Sequence, residues 1–66
     1  MSERRAPERL LLTVPEVAEA LGLGKSKVYE LLATGQLESV QVGRARRVPR
    51  GALIKFVEIL LAHQDE

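Results

Sequence analysis

The sequence predicts a mainly α-helical domain with one small β-hairpin: three helices plus one wing, the first two helices set as a helix-turn-helix. Three observations predict it. Val17, Ala18, Leu21, Leu23, Val28 and Leu31 have the spacing of two helices that cross steeply around a tight turn at Gly22. Val40-Gln41-Val42, then Gly43-Arg44, then Arg46-Arg47-Val48 read as strand, turn and strand. Leu53, Phe56, Val57 and Leu60 then fall on one face of a last helix.

Residues 1–9 are polar and charged, contain Pro7, and read as a flexible arm. Leu10, Leu11 and Leu12 form a short apolar run expected to lie strand-like on the core. Thr13 is suited to cap the first helix, and Glu16, three residues on, completes a capping box. Pro15 falls in the first turn, where its missing N–H costs nothing. Val14, Val17, Ala18 and Leu21 recur at i, i+3, i+4 and i+7, and Ala18 is small enough to let a second helix approach. Gly22 ends the helix because glycine accepts the left-handed backbone found at such ends. Leu21, Leu23, Val28 and Leu31 are expected to fill the angle between the helices.

The second helix is expected over residues 24–34, with Val28, Leu31 and Leu32 toward the core and Gly35 as its end. Gly24 is a weaker cap than serine or aspartate. Pro49 closes the wing, and the third helix runs over residues 50–63. Ala52, Ile54, Ile59 and Leu61 widen its apolar stripe beyond what three short helices bury. The segment 10–12 is expected to cover this surplus; the alternative is a contact site for a neighbour or partner. The domain therefore spans residues 10–62, with residues 63–66 as a tail.

The chain has 66 residues and no cysteine. That size implies one domain of marginal stability, without disulfides or cysteine-based zinc sites to reinforce it. No apolar run approaches the ~20 residues of a membrane span. Arg4-Arg5 is not followed by the apolar stretch of an export signal, so a cytoplasmic location is expected. No Ser/His/Asp set, carboxylate pair or glycine-rich phosphate loop is evident. Gly22-Leu23-Gly24 is too short and follows a helix, and His63 has no second histidine or cysteine to share a metal. Neither an enzyme nor a cofactor is expected.

Net charge is only +1, but it is unevenly placed. Residues 24–50 hold six bases and two acids, a net of +4. This is an oriented, anion-facing surface or a chance scatter of solvated charge. A helix-turn-helix leaves one face of its second helix free, and that face commonly enters a DNA major groove. Lys25 and Lys27 reach phosphate or guanine acceptors from there, and Ser26 donates to phosphate or base. Tyr29 either reaches phosphate or packs under the wing. Glu30 reads as a solvated charge, although an acid accepts from a cytosine amine. Arg44 occupies the wing tip, where a guanidinium suits a narrow minor groove. Arg46 and Arg47 alternate along the returning strand, so one faces DNA and the other faces solvent or an acid such as Glu38. Thr13 is first a cap and only secondarily a phosphate contact. Arg50 is expected to cap or flank the third helix, with DNA contact as the alternative.

The segment Leu12-Thr13-Val14-Pro15-Glu16-Val17-Ala18-Glu19-Ala20-Leu21-Gly22, followed by Ser26-Lys27-Val28-Tyr29-Glu30-Leu31-Leu32, Gly35-Gln36-Leu37, Val42-Gly43-Arg44 and Arg47-Val48-Pro49, resembles the excisionase family of winged helix-turn-helix proteins, which is related to the DNA-binding head of MerR regulators. The resemblance covers residues 10–61. It departs at Gly24, where the family usually has a serine or similar cap, and at Lys25, where arginine is frequent. It implies a recombination directionality factor that binds double-stranded DNA beside an attachment site, self-associates head-to-tail, bends the DNA and biases a phage or mobile-element integrase toward excision. Without the long dimerisation helix and effector domain of a full MerR regulator, a stand-alone binder is expected. A small MerR-like transcriptional regulator, or a protein-interaction module that has lost DNA binding, are the alternatives.

Overall fold

The computed structural model describes residues 9–64. Of the expected arm only Arg9 falls within them, and of the expected tail only His63 and Gln64. The elements are β1 (Leu11–Leu12), α1 (Val14–Leu21), α2 (Lys25–Ala33), β2 (Val40–Val42), β3 (Ala45–Pro49) and α3 (Arg50–His63). Their order is that of a winged helix-turn-helix.

Local chemistry sets the helix ends. Thr13 Oγ1 accepts from the Glu16 N–H at 3.2 Å while Glu16 Oε1 accepts from the Thr13 N–H at 2.9 Å, closing the capping box. At the other end Gly22 has φ 72°, and the Leu23 N–H donates back to the Ala18 carbonyl at 3.0 Å. This six-to-one bond satisfies a helix-end carbonyl that would otherwise lack a partner. α2 ends the same way, with the Gln36 N–H donating to the Leu31 carbonyl at 3.0 Å. The turn that follows drives Leu37 beneath the helices, where it is 2% exposed.

The core joins Val14, Val17 and Ala18 of α1, Val28 and Leu31 of α2, Leu37, Val48 of β3, and Leu53 and Phe56 of α3. Val17, Val28 and Val48 are wholly buried, each contributing about 1.5–3 kcal/mol of apolar transfer. Two expected core residues lie elsewhere. Leu23 is 40% exposed because it follows the glycine turn and so leaves the helix pair. Leu60 is 48% exposed because α3 packs chiefly on β3, and its last turns run beyond that support.

The sheet contains one strand more than the wing alone. Its antiparallel order is β1-β3-β2, with Leu11 opposite Pro49, Leu12 opposite Val48, Val40 opposite Arg47, Gln41 opposite Arg46 and Val42 opposite Ala45. Gly43-Arg44 is the two-residue turn between Val42 and Ala45. The Arg50 N–H donates to the Leu10 carbonyl at 2.8 Å, fastening the start of β1 to the start of α3. The apolar segment 10–12 is thus used as a sheet edge. It does not cover the third helix as expected: Ile54, Ile59, Leu60 and Leu61 all remain exposed, with Leu61 at 65%.

Candidate nucleic-acid interface

Burial of Val28 and Leu31 fixes the roll of α2. With 100° between successive residues, Ser26, Tyr29, Glu30 and Ala33 then point outward, and Lys25 and Lys27 flank them. All six are exposed. The side chains of Lys25, Ser26 and Tyr29 make no hydrogen bond or ion pair to another described residue. Tyr29 is 57% exposed, so its ring does not pack under the wing. Gly24 supplies no side-chain cap, which leaves the first N–H groups of α2 unclaimed by a cap and adds to the positive end of the helix. One contact was not foreseen from the sequence: Lys27 Nζ lies 3.6 Å from Glu30 Oε2. Its signal was present, since positions i and i+3 are neighbours on a helix.

The wing places three arginines differently. Arg44 sits exposed in the turn and makes no side-chain hydrogen bond or ion pair among the described residues. Arg46 is exposed, and its Nη1 donates to Ser39 Oγ at 3.1 Å. Arg47, on the opposite face of β3, is half-buried and donates to the Arg46 carbonyl at 3.0 Å. Its charge acts on Glu16, and neither arginine pairs with Glu38. Alternation was legible; which acid lay near which arginine depended on how β3 docks against α1.

Thr13 is engaged by Glu16, which also holds Arg9, with Arg9 Nε 2.9 Å from Glu16 Oε2. Several partners hold the Glu16 carboxyl below its ordinary pKa: the Thr13 backbone N–H foremost, then the Arg9 guanidinium, the Thr13 side chain and Arg47, against an opposing desolvation. Thr13 Oγ1 accepts in the cap, and the hydroxyl hydrogen is directed to the Glu16 carboxylate, whose pKa it helps to lower.

These placements give a run of donors and cations on α2 and a second set on the wing, both solvent-facing. Such a surface suits a polyanion, with the helix offering base-edge donors and acceptors as well. The grooves lie elsewhere. One of about 190 Å³ is lined by Gly35, Gln36, Glu38, Ala52, Lys55, Phe56 and Ile59, none of them a candidate residue. Among the described residues no three His, Asp or Glu side chains converge as a metal site, and no helix is long and apolar enough to cross a membrane.

The fold and the exposed second helix define a helix-turn-helix protein, and a family model described as a helix-turn-helix domain matches residues 11–58. The chain is 52% identical over 62 residues to a protein of Saccharopolyspora erythraea named "Probable excisionase", an overlap that takes in 94% of this chain and 63% of the relative. It is 50% identical over 48 residues to a protein of Streptomyces ambofaciens named "Excisionase", across 73% of this chain and 77% of the relative. The chain thus spans a little under two thirds of the length of the Saccharopolyspora relative. No solved structure matches the chain. The chain belongs to the excisionase family of helix-turn-helix proteins.

Proposed function

We propose that this chain is a sequence-specific, DNA-bending excisionase: it binds double-stranded DNA near attachment sites and directs an integrase toward excision of a prophage or mobile element. The observation that carries this reading is the outward face of α2, where Lys25, Ser26 and Tyr29 are exposed and uncommitted beside an uncapped helix start. Two relatives named for excision, each about half identical to this chain over the matched residues, support the biological role.

In this reading residues 10–62 form the DNA-binding domain, preceded by an arm and followed by a tail. Lys25, Ser26, Lys27 and Tyr29 meet the major groove and its phosphates. Arg44 enters the adjacent minor groove, Arg46 contacts backbone with Thr13 as a secondary contact, and Arg47, on the other face of β3, stays beside Glu16. The protein works by binding, without catalysis or a cofactor, in the cytoplasm where the chromosome lies. Copies assemble head-to-tail on neighbouring sites, and the uncovered apolar face of α3 supplies a surface for that contact. Tandem copies that each grip both grooves favour a bent path.

Selection of bound duplexes from a random pool at near-physiological salt tests this. Motifs enriched in direct repeat at fixed spacing, with retention that weakens steeply as salt rises, are expected. Replacing Lys27 and Arg44 together by alanine should abolish retention. Inverted repeats would replace this reading with a dimeric regulator, and salt-insensitive absence of enrichment would replace it with a protein-interaction module.

A further inference from the structure

The Lys27–Glu30 pair stands on the exposed side of α2. The Nζ–Oε2 distance is 3.6 Å, and the two side chains are 54% and 61% exposed. Neither has a structural duty in the core. Glu30 serves the helix end through its backbone, whose carbonyl accepts from the Thr34 N–H and hydroxyl, so its carboxylate is otherwise uncommitted.

A lone carboxylate on a DNA-facing helix repels phosphate. A carboxylate beside an ammonium is a different object: one donor group and one acceptor group, a few ångströms apart on one helix face. The major-groove edge of a G·C pair offers the complement. Guanine presents N7 and O6 as acceptors, and cytosine presents its N4 amine as a donor. O6 and N4 are the ends of one Watson–Crick hydrogen bond, so they lie about 2.9 Å apart. An A·T pair presents its donor, adenine N6, between two acceptors, N7 and thymine O4. A carboxylate accepting there would lie against O4.

We infer that Lys27 and Glu30 act as a pair that reads one G·C base pair, Lys27 donating to guanine O6 or N7 and Glu30 accepting from the cytosine N4 amine. The inference rests on the DNA-binding reading above and adds a specificity determinant to it. Glu30 weakens binding to every sequence through its charge and recovers that loss only where a cytosine amine is in reach, so its effect is selectivity.

The test compares the full chain with Glu30→Gln. Each protein is put through the same random-duplex selection, and each is titrated against the duplex selected by the native chain and a copy with the inferred G·C pair changed to A·T. The native chain should prefer the G·C duplex by about tenfold at that position. Glu30→Gln should lose that preference and lean toward adenine, which glutamine recognises through N6 and N7, while keeping the remainder of the motif. It should also bind non-matching DNA more tightly, having shed a negative charge. If Glu30→Gln tightens binding to all duplexes and leaves every position of the motif unchanged, Glu30 is a solvated charge and the inference is overturned. If the native chain itself enriches no duplex, the DNA-binding premise fails first, in an arm that does not involve the variant.

Discussion

At Glu16 one carboxylate closes the capping box through Oε1 and holds Arg9 through Oε2. The box was legible in Thr13 and Glu16 because its geometry is set within a single turn. The Arg9 contact was not, because residues that precede a strand carry no periodicity from which their direction can be read. The lowered pKa of this carboxyl has a definite sign for stability. The folded state binds its proton less readily than the unfolded chain, so the contribution is complete above about pH 4.5 and disappears as pH falls through the lower folded value. Glu16→Gln keeps an acceptor for the Thr13 N–H but has no charge for Arg9 or Arg47. Urea unfolding followed by circular dichroism should therefore find the native chain more stable than Glu16→Gln at pH 7, with a narrower gap once the pH is well below 4.5. A gap of equal size at both pH values would mean that the carboxylate charge has no part in it.

The helix ends are the elements' most testable features. Gly22 was legible as a terminator, and its φ of 72° and the 3.0 Å bond from Leu23 to Ala18 show the mechanism. A Cβ built at Gly22 meets nothing within 4 Å, so substitution there strains only the backbone. Gly22→Ala should cost about 1–2 kcal/mol, the penalty of holding an L-residue in the left-handed region. Gly24 is the opposite case. Its φ of −76° and ψ of 160° suit any N-cap residue, and a Cβ there is also unobstructed. Gly24→Ser should raise stability by a few tenths of a kcal/mol. Thermal unfolding of the two variants should thus move in opposite directions, and two losses would mean that α2 does not begin at Lys25. Leu37 shows where element-level reading ran short. It belongs to no helix or strand, and only the second left-handed turn, at Gly35, carries it into the core.

At the scale of the whole molecule the helix-turn-helix, the wing and the third helix were all legible, because each has its own period or turn signal. The β1–β3 pairing was not. A run of three leucines states that a segment is apolar without stating which neighbour it meets, and here β3 claims it through backbone hydrogen bonds. That pairing leaves α3 with its outer side bare, which bears on how copies meet on DNA. Ile54 and Leu61 stand seven residues apart on one side of the helix, 52% and 65% exposed. If neighbouring copies touch there, burying these side chains supplies up to about 1.5–3 kcal/mol each. Replacing both by glutamine removes that gain while leaving the net charge, and hence the electrostatic attraction to phosphate, unchanged. The double variant should bind a duplex bearing a single site as the native chain does. On a duplex with two sites in direct repeat, it should lose about tenfold or more in cooperativity, read from titrations of one-site and two-site duplexes side by side. Unchanged cooperativity would exclude α3 as the contact between copies, whereas an equal loss on the single site would mean that α3 itself lies against DNA.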